Sequence, residues 1–363
     1  MAFPEHGGDL AWASKRYGMR PEKFLDFSSS VNPLGPAPSA LKAARSALKC
    51  VSSYPEPGAD SLKRSLASWL GTGSSRLTLG NGSTELIYHL VRCRSPRRVT
   101  VVSPSFSEYE RAARAAGAEV ERFLLSPSDG FALDTHALAR SAARSDMVFF
   151  CNPASPTGAL YHREELLPVL EVCREKGGLL VVDESFMGFC PAEEGGESTL
   201  MPLAGEEGLA VISTCTKLFA LAGLRGPGWL AGTRELVAEM EETGVPWRVN
   251  RVAAAAAHAS LADDGYLRRT RTSVRAWREE LATGLGKIGI FQVYPSRVNY
   301  LLLRLREERP DAAALVDELG RRGILVRSCF NFHGLGEGFI RVAVRRPREN
   351  KKLLRALREV MSI

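Results

Sequence analysis

Lys217 lies in the stretch Ser213-Thr-Cys-Thr-Lys217-Leu-Phe-Ala-Leu-Ala-Gly223-Leu-Arg225, directly after the strand-like run 209–212. A lysine that is to condense with an aldehyde must first lose its proton, and an apolar, partly desolvated setting favours the neutral amine. The hydroxyls of Ser213 and of Thr214 or Thr216, with the guanidinium of Arg225, offer donors to a phosphate. An aldehyde and a phosphate on one molecule describe pyridoxal phosphate. That cofactor is an electron sink only when its ring nitrogen is protonated, so a buried carboxylate must pair with it. Asp183, at the end of the apolar run 179–183, can supply one. Asn152 offers a donor to the ring's phenolic oxygen, and Phe106 a face to stack on. Gly82, Ser83 and Thr84 open a helix after a glycine turn, where bare backbone N–H groups and two hydroxyls form an anion cradle. Each feature taken singly has a plainer structural reading: Asn-Pro is a turn, Gly-x-Gly a tight loop, an aspartate a turn cap. Their order along the chain gives the chemistry its weight.

The elements that must position these residues follow from hydrophobic periodicity. Strands are expected at 77–80, 99–102, 120–125, 146–151, 179–183 and 209–213, with helices between them at 108–116, 135–143 and 163–176. Such alternation predicts an α/β protein with a parallel sheet, whose ligand groups gather at the carboxyl ends of the strands. Ser103–Phe106, Asn152–Gly158, Asp183–Phe186 and Lys217 all fall there. Before the sheet, residues 1–35 read as an irregular arm with a short helix at 10–17. Helices follow at 39–49, capped by Ser39, and at 61–70. Beyond Arg234 come helices at 235–243, 251–262 and 266–288. An α+β segment ends the chain, with strands at 299–304, 324–327 and 339–344 and helices at 311–322 and 349–361. The expected division is an arm of residues 1–45 that joins the small domain, a large cofactor-binding domain of 46–235, and a small α+β domain of 236–363.

Composition narrows the function classes. The 363 residues are 45% hydrophobic and 25% charged, ordinary values for a globular protein. No apolar run approaches the ~20 residues that cross a bilayer, and the first residues lack the build of a signal peptide. Neither a membrane nor nucleic acid is therefore an expected partner: the arginines spread along helical stretches, without a helix-turn-helix or zinc pattern. The net charge of +7 suits anionic phosphate substrates instead. Seven cysteines without metal-ligand spacing indicate reduced thiols in the cytoplasm and no metal site.

With these residues in view, the chain resembles the fold-type-I, aspartate-aminotransferase-like pyridoxal phosphate enzymes over essentially its full length. The carrying motifs are Gly80-Asn-Gly-Ser-Thr-Glu85, Asn152-Pro-x-x-Pro-Thr-Gly158, Asp183-Glu184, and Ser213-x-x-Thr216-Lys217 with Gly223-Leu-Arg225. The resemblance implies that Lys217 bonds the cofactor's aldehyde and that Asp183 pairs with its ring nitrogen. It implies also that Asn152 bonds the phenolic oxygen, through a cis Asn152–Pro153 bond, and that Ser83, Thr84, Ser213 or Thr214, and Arg225 hold the phosphate. Tyr54 of Tyr-Pro-Glu-Pro matches a tyrosine that reaches a neighbouring subunit's cofactor, which implies a homodimer with shared sites. Histidinol-phosphate aminotransferases share most of these motifs. The threonine-phosphate decarboxylases of cobalamin synthesis are similar at further stretches: His6-Gly-Gly-Asp9, Leu25–Pro36, Ser103–Tyr109 and Gly334–Val344. In that branch Phe186 stands where aminotransferases carry tyrosine. The resemblance implies decarboxylation of L-threonine O-3-phosphate, with His6, Asn32, Arg327 and Arg341 around the substrate's phosphate and carboxylate. Transamination of histidinol phosphate or a related amino acid is the alternative. Phosphoserine differs from phosphothreonine by one methyl, worth ~1 kcal/mol of packing, so both stay open as substrates. After Arg225 an extra residue, in Gly226-Pro-Gly-Trp229, departs from both branches.

Overall fold

Strands covered by helices on both faces must be apolar throughout, and three runs of this chain meet that condition. In the computed structural model, which describes residues 3–306 and 311–361, every residue of 147–151, 179–183 and 209–214 is buried. The chain opens with α1 (Leu10–Tyr17), β1 (Leu25–Asp26), α2 (Pro38–Ala47) and α3 (Asp60–Leu70). Strands and helices then alternate through β2 (Leu77–Gly80), α4 (Gly82–Arg94), β3 (Arg98–Ser103), α5 (Ser107–Ala115) and β4 (Glu119–Leu124). The alternation continues with α6 (Thr135–Ala142), β5 (Met147–Cys151), α7 (Arg163–Glu175) and β6 (Leu179–Asp183). Next come α8 (Ala192–Ser198), β7 (Leu209–Thr214), the single turn α9 (Cys215–Leu218), β8 (Gly228–Ala231) and α10 (Arg234–Thr243). Helices α11 (Arg251–Leu261) and α12 (Asp264–Gly286) lead to β9 (Phe291–Val293), β10 (Tyr300–Leu305) and α13 (Ala312–Arg321). Strands β11 (Ile324–Leu325), β12 (Arg327–Ser328) and β13 (Phe339–Ala343), then α14 (Pro347–Met361), complete the described chain.

The large sheet has the order β2-β8-β7-β6-β5-β3-β4. Only β8 runs against its neighbours, antiparallel to β7 on one side and β2 on the other. The periodicity did not single out β8, because four residues behind a Gly-Pro-Gly turn carry little pattern of their own. A second sheet of order β12-β13-β10-β9 forms the core of the C-terminal part with α13, α14 and the far end of α12. Helix α11 and all but the first two residues of α10 lie beyond residue 235 but pack with the large sheet: Leu236 and Met240 join one face, Ala256 and Ala257 the other.

Two local expectations are corrected. Helix α2 begins at Pro38 with Ala37 before it and no side-chain cap, so Ser39 is not its N-cap; proline's fixed φ already suits a first helical position. The strand expected at 324–327 is two strands. Its first half pairs in parallel with β1 of the arm, Leu25 opposite Ile324. Its second half enters the four-stranded sheet, where Arg327 lies directly opposite Arg341. Residues opposite one another in an antiparallel pair share a face, so the break brings two guanidinium groups together.

Candidate active site

A cavity of about 250 Å³ opens at the carboxyl ends of β3, β5, β6 and β7. The start of α4 forms one end of it, the place where the sequence leads one to expect a phosphate. Asn81 makes no side-chain cap, which leaves the first-turn N–H groups without a side-chain partner, and Gly82, Ser83 and Thr84 line the cavity. Gly82 has φ +81°, and a Cβ there would sit 2.9 Å from Arg225 Nη2. Glycine is needed on both counts. Arg225 in turn donates to the carbonyl of Asn81 at 3.0 Å. The extra residue after it is absorbed in a turn, Gly226 N donating to Leu221 O at 2.9 Å and Cys215 N to Pro227 O at 2.8 Å.

Lys217 lines the cavity from α9, its Nζ 5.8 Å from the centre of the Phe186 ring. Burial pushes its amine down to about 8, Arg341 and Arg225 add to the shift, and Asp183 opposes it. Only the neutral form of an amine attacks an aldehyde. Capture of pyridoxal phosphate by the cofactor-free protein is therefore expected to accelerate as pH rises toward about 8 and to level off above it, followed by visible absorbance. The unfolded chain's lysine titrates near 10.5 and so binds more protons between the two values. Stability of the cofactor-free protein should rise with pH across that window.

Asp183 accepts from the Tyr109 hydroxyl at 2.7 Å and from Ser185 N at 2.9 Å. Burial, with Asp183 beside it, pushes the Tyr109 phenol far above its usual range, so it remains a donor. Tyr109 stacks on Phe149 at 5.0 Å and meets Phe106 edge-on at 5.7 Å, and Phe106 lines the cavity. The donor set fits pyridoxal phosphate: an uncapped helix start with a guanidinium, a fixed carboxylate, an aromatic ring and one amine. Bound here, the cofactor supplies an aldehyde for Lys217 and a ring that withdraws electrons from a substrate carbon.

The opposite wall carries the two facing arginines. Arg341 donates Nη1 to Ser155 Oγ at 3.1 Å and Nη2 to Ser28 O at 3.2 Å. Arg327 donates to the carbonyls of Pro4, at 2.9 Å, and Glu5, and to Asn331 Oδ1 at 2.8 Å. Burial first, and Arg341 second, push its guanidinium down to about 10. His6 completes the rim.

Five of the residues singled out lie elsewhere. Asn152 does not line the cavity; its carboxamide exchanges bonds of 2.9 and 3.0 Å with the Tyr161 backbone and closes a turn. Ser155, three residues on, faces the cavity in its place. Asn32 is 3% exposed and spends its amide on Leu218 O, the Tyr266 hydroxyl and Thr270 Oγ1, at 2.7, 2.8 and 3.0 Å. It braces the segment that carries Lys217. Ser213 donates to Glu184 O at 3.1 Å and Thr214 caps α9; Thr216 is the hydroxyl of this stretch that lines the cavity. Tyr54 is 78% exposed and pairs with Trp247 at 4.9 Å, away from this chain's own cavity. Sequence reasoning had also passed over Tyr109, which lies one helical turn beyond Phe106, the spacing that puts two side chains on one face.

The model of the family "Aminotransferase class I and II" matches residues 22–357. The chain belongs to that family. The threonine-phosphate decarboxylase of Salmonella typhimurium is 35% identical over 358 residues, 98% of this chain and 96% of that protein. The histidinol-phosphate aminotransferase of Methanopyrus kandleri is 30% identical over 367 residues, 96% of this chain and 91% of that protein. A solved structure of histidinol-phosphate aminotransferase from Sinorhizobium meliloti in complex with pyridoxal phosphate superposes with a TM-score of 0.88. It is 22% identical and covers 100% of this chain, which covers 95% of it. This member of the aminotransferase family is thus a fold-type-I enzyme that uses pyridoxal phosphate. Among its described residues no helix is long and apolar enough to cross a membrane.

Proposed function

We propose that this protein decarboxylates L-threonine O-3-phosphate to (R)-1-aminopropan-2-yl phosphate and CO₂, in the cytoplasm and toward cobalamin. One observation carries the reading. Arg327 and Arg341 are 4% and 8% exposed, lie opposite each other on adjacent strands, and make no ion pair with a carboxylate among the described residues. Buried like charges without counterions are unfavourable, and a substrate with one phosphate and one carboxylate supplies an anion for each. Histidinol phosphate brings a single anionic group, so an aminotransferase would give each guanidinium an anion only in its second half-reaction, with the dicarboxylate 2-oxoglutarate. The 35% identity to a threonine-phosphate decarboxylase supports the same reading.

Held by two fixed guanidinium groups, the substrate presents its carboxylate rather than its Cα–H for cleavage, and this orientation chooses decarboxylation over transamination. Lys217 Nζ, with its lowered proton affinity, then returns a proton to the carbon that has lost CO₂. The test is incubation of cofactor-loaded protein with L-threonine O-3-phosphate. Stoichiometric CO₂ is expected. No CO₂, together with amino transfer from histidinol phosphate to 2-oxoglutarate, would overturn the reading in favour of an aminotransferase.

The working form is a homodimer. Leu48, Val51, Tyr54, Val245 and Trp247 are all exposed, and a second copy covering them brings Tyr54 to the partner's cofactor phosphate. Sedimentation should give two copies. Tyr54→Ala should loosen cofactor binding about tenfold, the worth of one hydrogen bond to a charged group, as read by equilibrium dialysis.

A further inference from the structure

Glu108 stands in the first turn of α5, is 7% exposed, and does not itself line the cavity. Three side chains nonetheless converge on its carboxylate. His6 Nε2 lies 2.9 Å from Oε1, the Tyr88 hydroxyl donates to Oε2 at 2.8 Å, and Arg111 Nη1 donates to Oε1 at 3.2 Å. A helix N-terminus favours a carboxylate by itself, but that does not account for a histidine brought from the far end of the chain.

The segment that carries His6 crosses the cavity mouth from β12 to α5. Arg327 holds the carbonyls of Pro4 and Glu5, Arg111 pairs with the Glu5 carboxylate at 2.7 Å, and Gly8 N donates to Ser28 Oγ at 2.9 Å. A Cβ on Gly7 would sit 2.1 Å from Ser28 O, so only glycine lets the arm lie flat on that carbonyl. Ser28 O is also the acceptor for Arg341 Nη2, at 3.2 Å. The arm and the substrate arginines are thereby fixed to the same backbone. Its residues Glu5, His6 and Gly7 line the cavity.

We propose that Glu108 is a positioning residue for the anionic end of the substrate. By accepting from His6 Nε2 it holds the imidazole beside Phe106, ring centres 5.6 Å apart, and leaves Nδ1 free, which in the imidazolium form donates its N–H to a phosphate oxygen. The substrate's identity here rests on the decarboxylase reading; the positioning of a phosphate by His6 does not. Electrostatics gives the proposal a sign. Removing a negative charge beside an anion site strengthens anion binding by Coulomb's law alone, whereas loss of a positioning group weakens it.

The experiment titrates inorganic phosphate into the cofactor-loaded protein by calorimetry and measures KM and kcat with L-threonine O-3-phosphate. E108A and H6A should each weaken phosphate binding and raise KM about tenfold, with far smaller changes in kcat. The double variant should bind no more weakly than H6A, since Glu108 acts through His6. E108Q keeps an acceptor oxygen for His6 and should recover most of the affinity. Unchanged or tighter phosphate binding in E108A, or additive losses in the double variant, overturns the proposal. If E108A does not fold, wild-type affinity in H6A overturns it equally. Should the phosphate pattern hold while L-threonine O-3-phosphate yields no CO₂, the substrate reading fails and the role of Glu108 stands.

Discussion

Lys217→Ala is expected to reduce turnover by about 10⁴-fold, at the upper end of what a positioned proton-transfer group contributes and with the covalent anchor lost as well. Lys217 is the one lysine among the described residues that line the cavity, so no neighbouring amine can substitute. The variant should still take up pyridoxal phosphate, through the N-terminus of α4 and Arg225, but without the absorbance of a lysine-bound aldehyde. A small primary amine added to the solution should restore part of the rate, because what is missing is an amine at one position. Stability separates this outcome from misfolding. Burial holds the Lys217 amine down to about 8, so at neutral pH the cofactor-free protein keeps a buried cation at a free-energy cost. Replacing it should leave the melting temperature of the cofactor-free protein unchanged or raised. A variant that melts normally and retains more than about a tenth of the wild-type rate would refute the assignment of Lys217 to proton transfer.

The parts of this fold that were legible in the sequence are those where one local cause suffices. The runs ending at Cys151, Asp183 and Thr214 are apolar on both faces, and only a strand inside a helix-covered sheet uses such a run at that length. The residues at or just beyond the ends of β6 and β7, and of β2 and β3 in the same sheet, lie at one edge of it, which is why Asp183, Lys217, Gly82 and Phe106 come together in one cavity. What was not legible depends on where a side chain turns once the backbone has arrived. Asn152 and Ser155 belong to one turn, and nothing in residue type says which of them faces the cavity; the Tyr161 backbone takes the carboxamide of the first. Asn32 is drawn into a buried site by Tyr266 and Thr270, more than 200 positions away. The strand split at residue 326 follows from a partner, β1, that is two residues long and carries no periodic signal. Tyr54 and Trp247 show only that a surface is apolar, and residue type does not say what covers it.

Asp183→Asn is expected to lower kcat by about 10³-fold, the range seen when one preorganised electrostatic contact to the reacting system is removed, while cofactor binding changes far less. The substitution isolates charge from shape. Asparagine is nearly the same size, and its carbonyl oxygen can still accept from Ser185 N, which now bonds Asp183 at 2.9 Å. The neutral amide, however, gives no charge to hold a proton on the cofactor's ring nitrogen, and without that proton the ring withdraws electrons poorly. Tyr109→Phe supplies the converse case. It removes the 2.7 Å bond to Asp183 but leaves the carboxylate, and the lost bond is worth about tenfold. Stacking on Phe149 should hold the ring in place, since the two planes lie 5° apart. A far larger loss for Asp183→Asn than for Tyr109→Phe, in stopped-flow single turnovers that exclude product release, assigns the effect to charge. Equal losses would mean that the carboxylate matters only as a hydrogen-bonded wall of the cavity, and the pairing of Asp183 with the cofactor nitrogen would have to be abandoned.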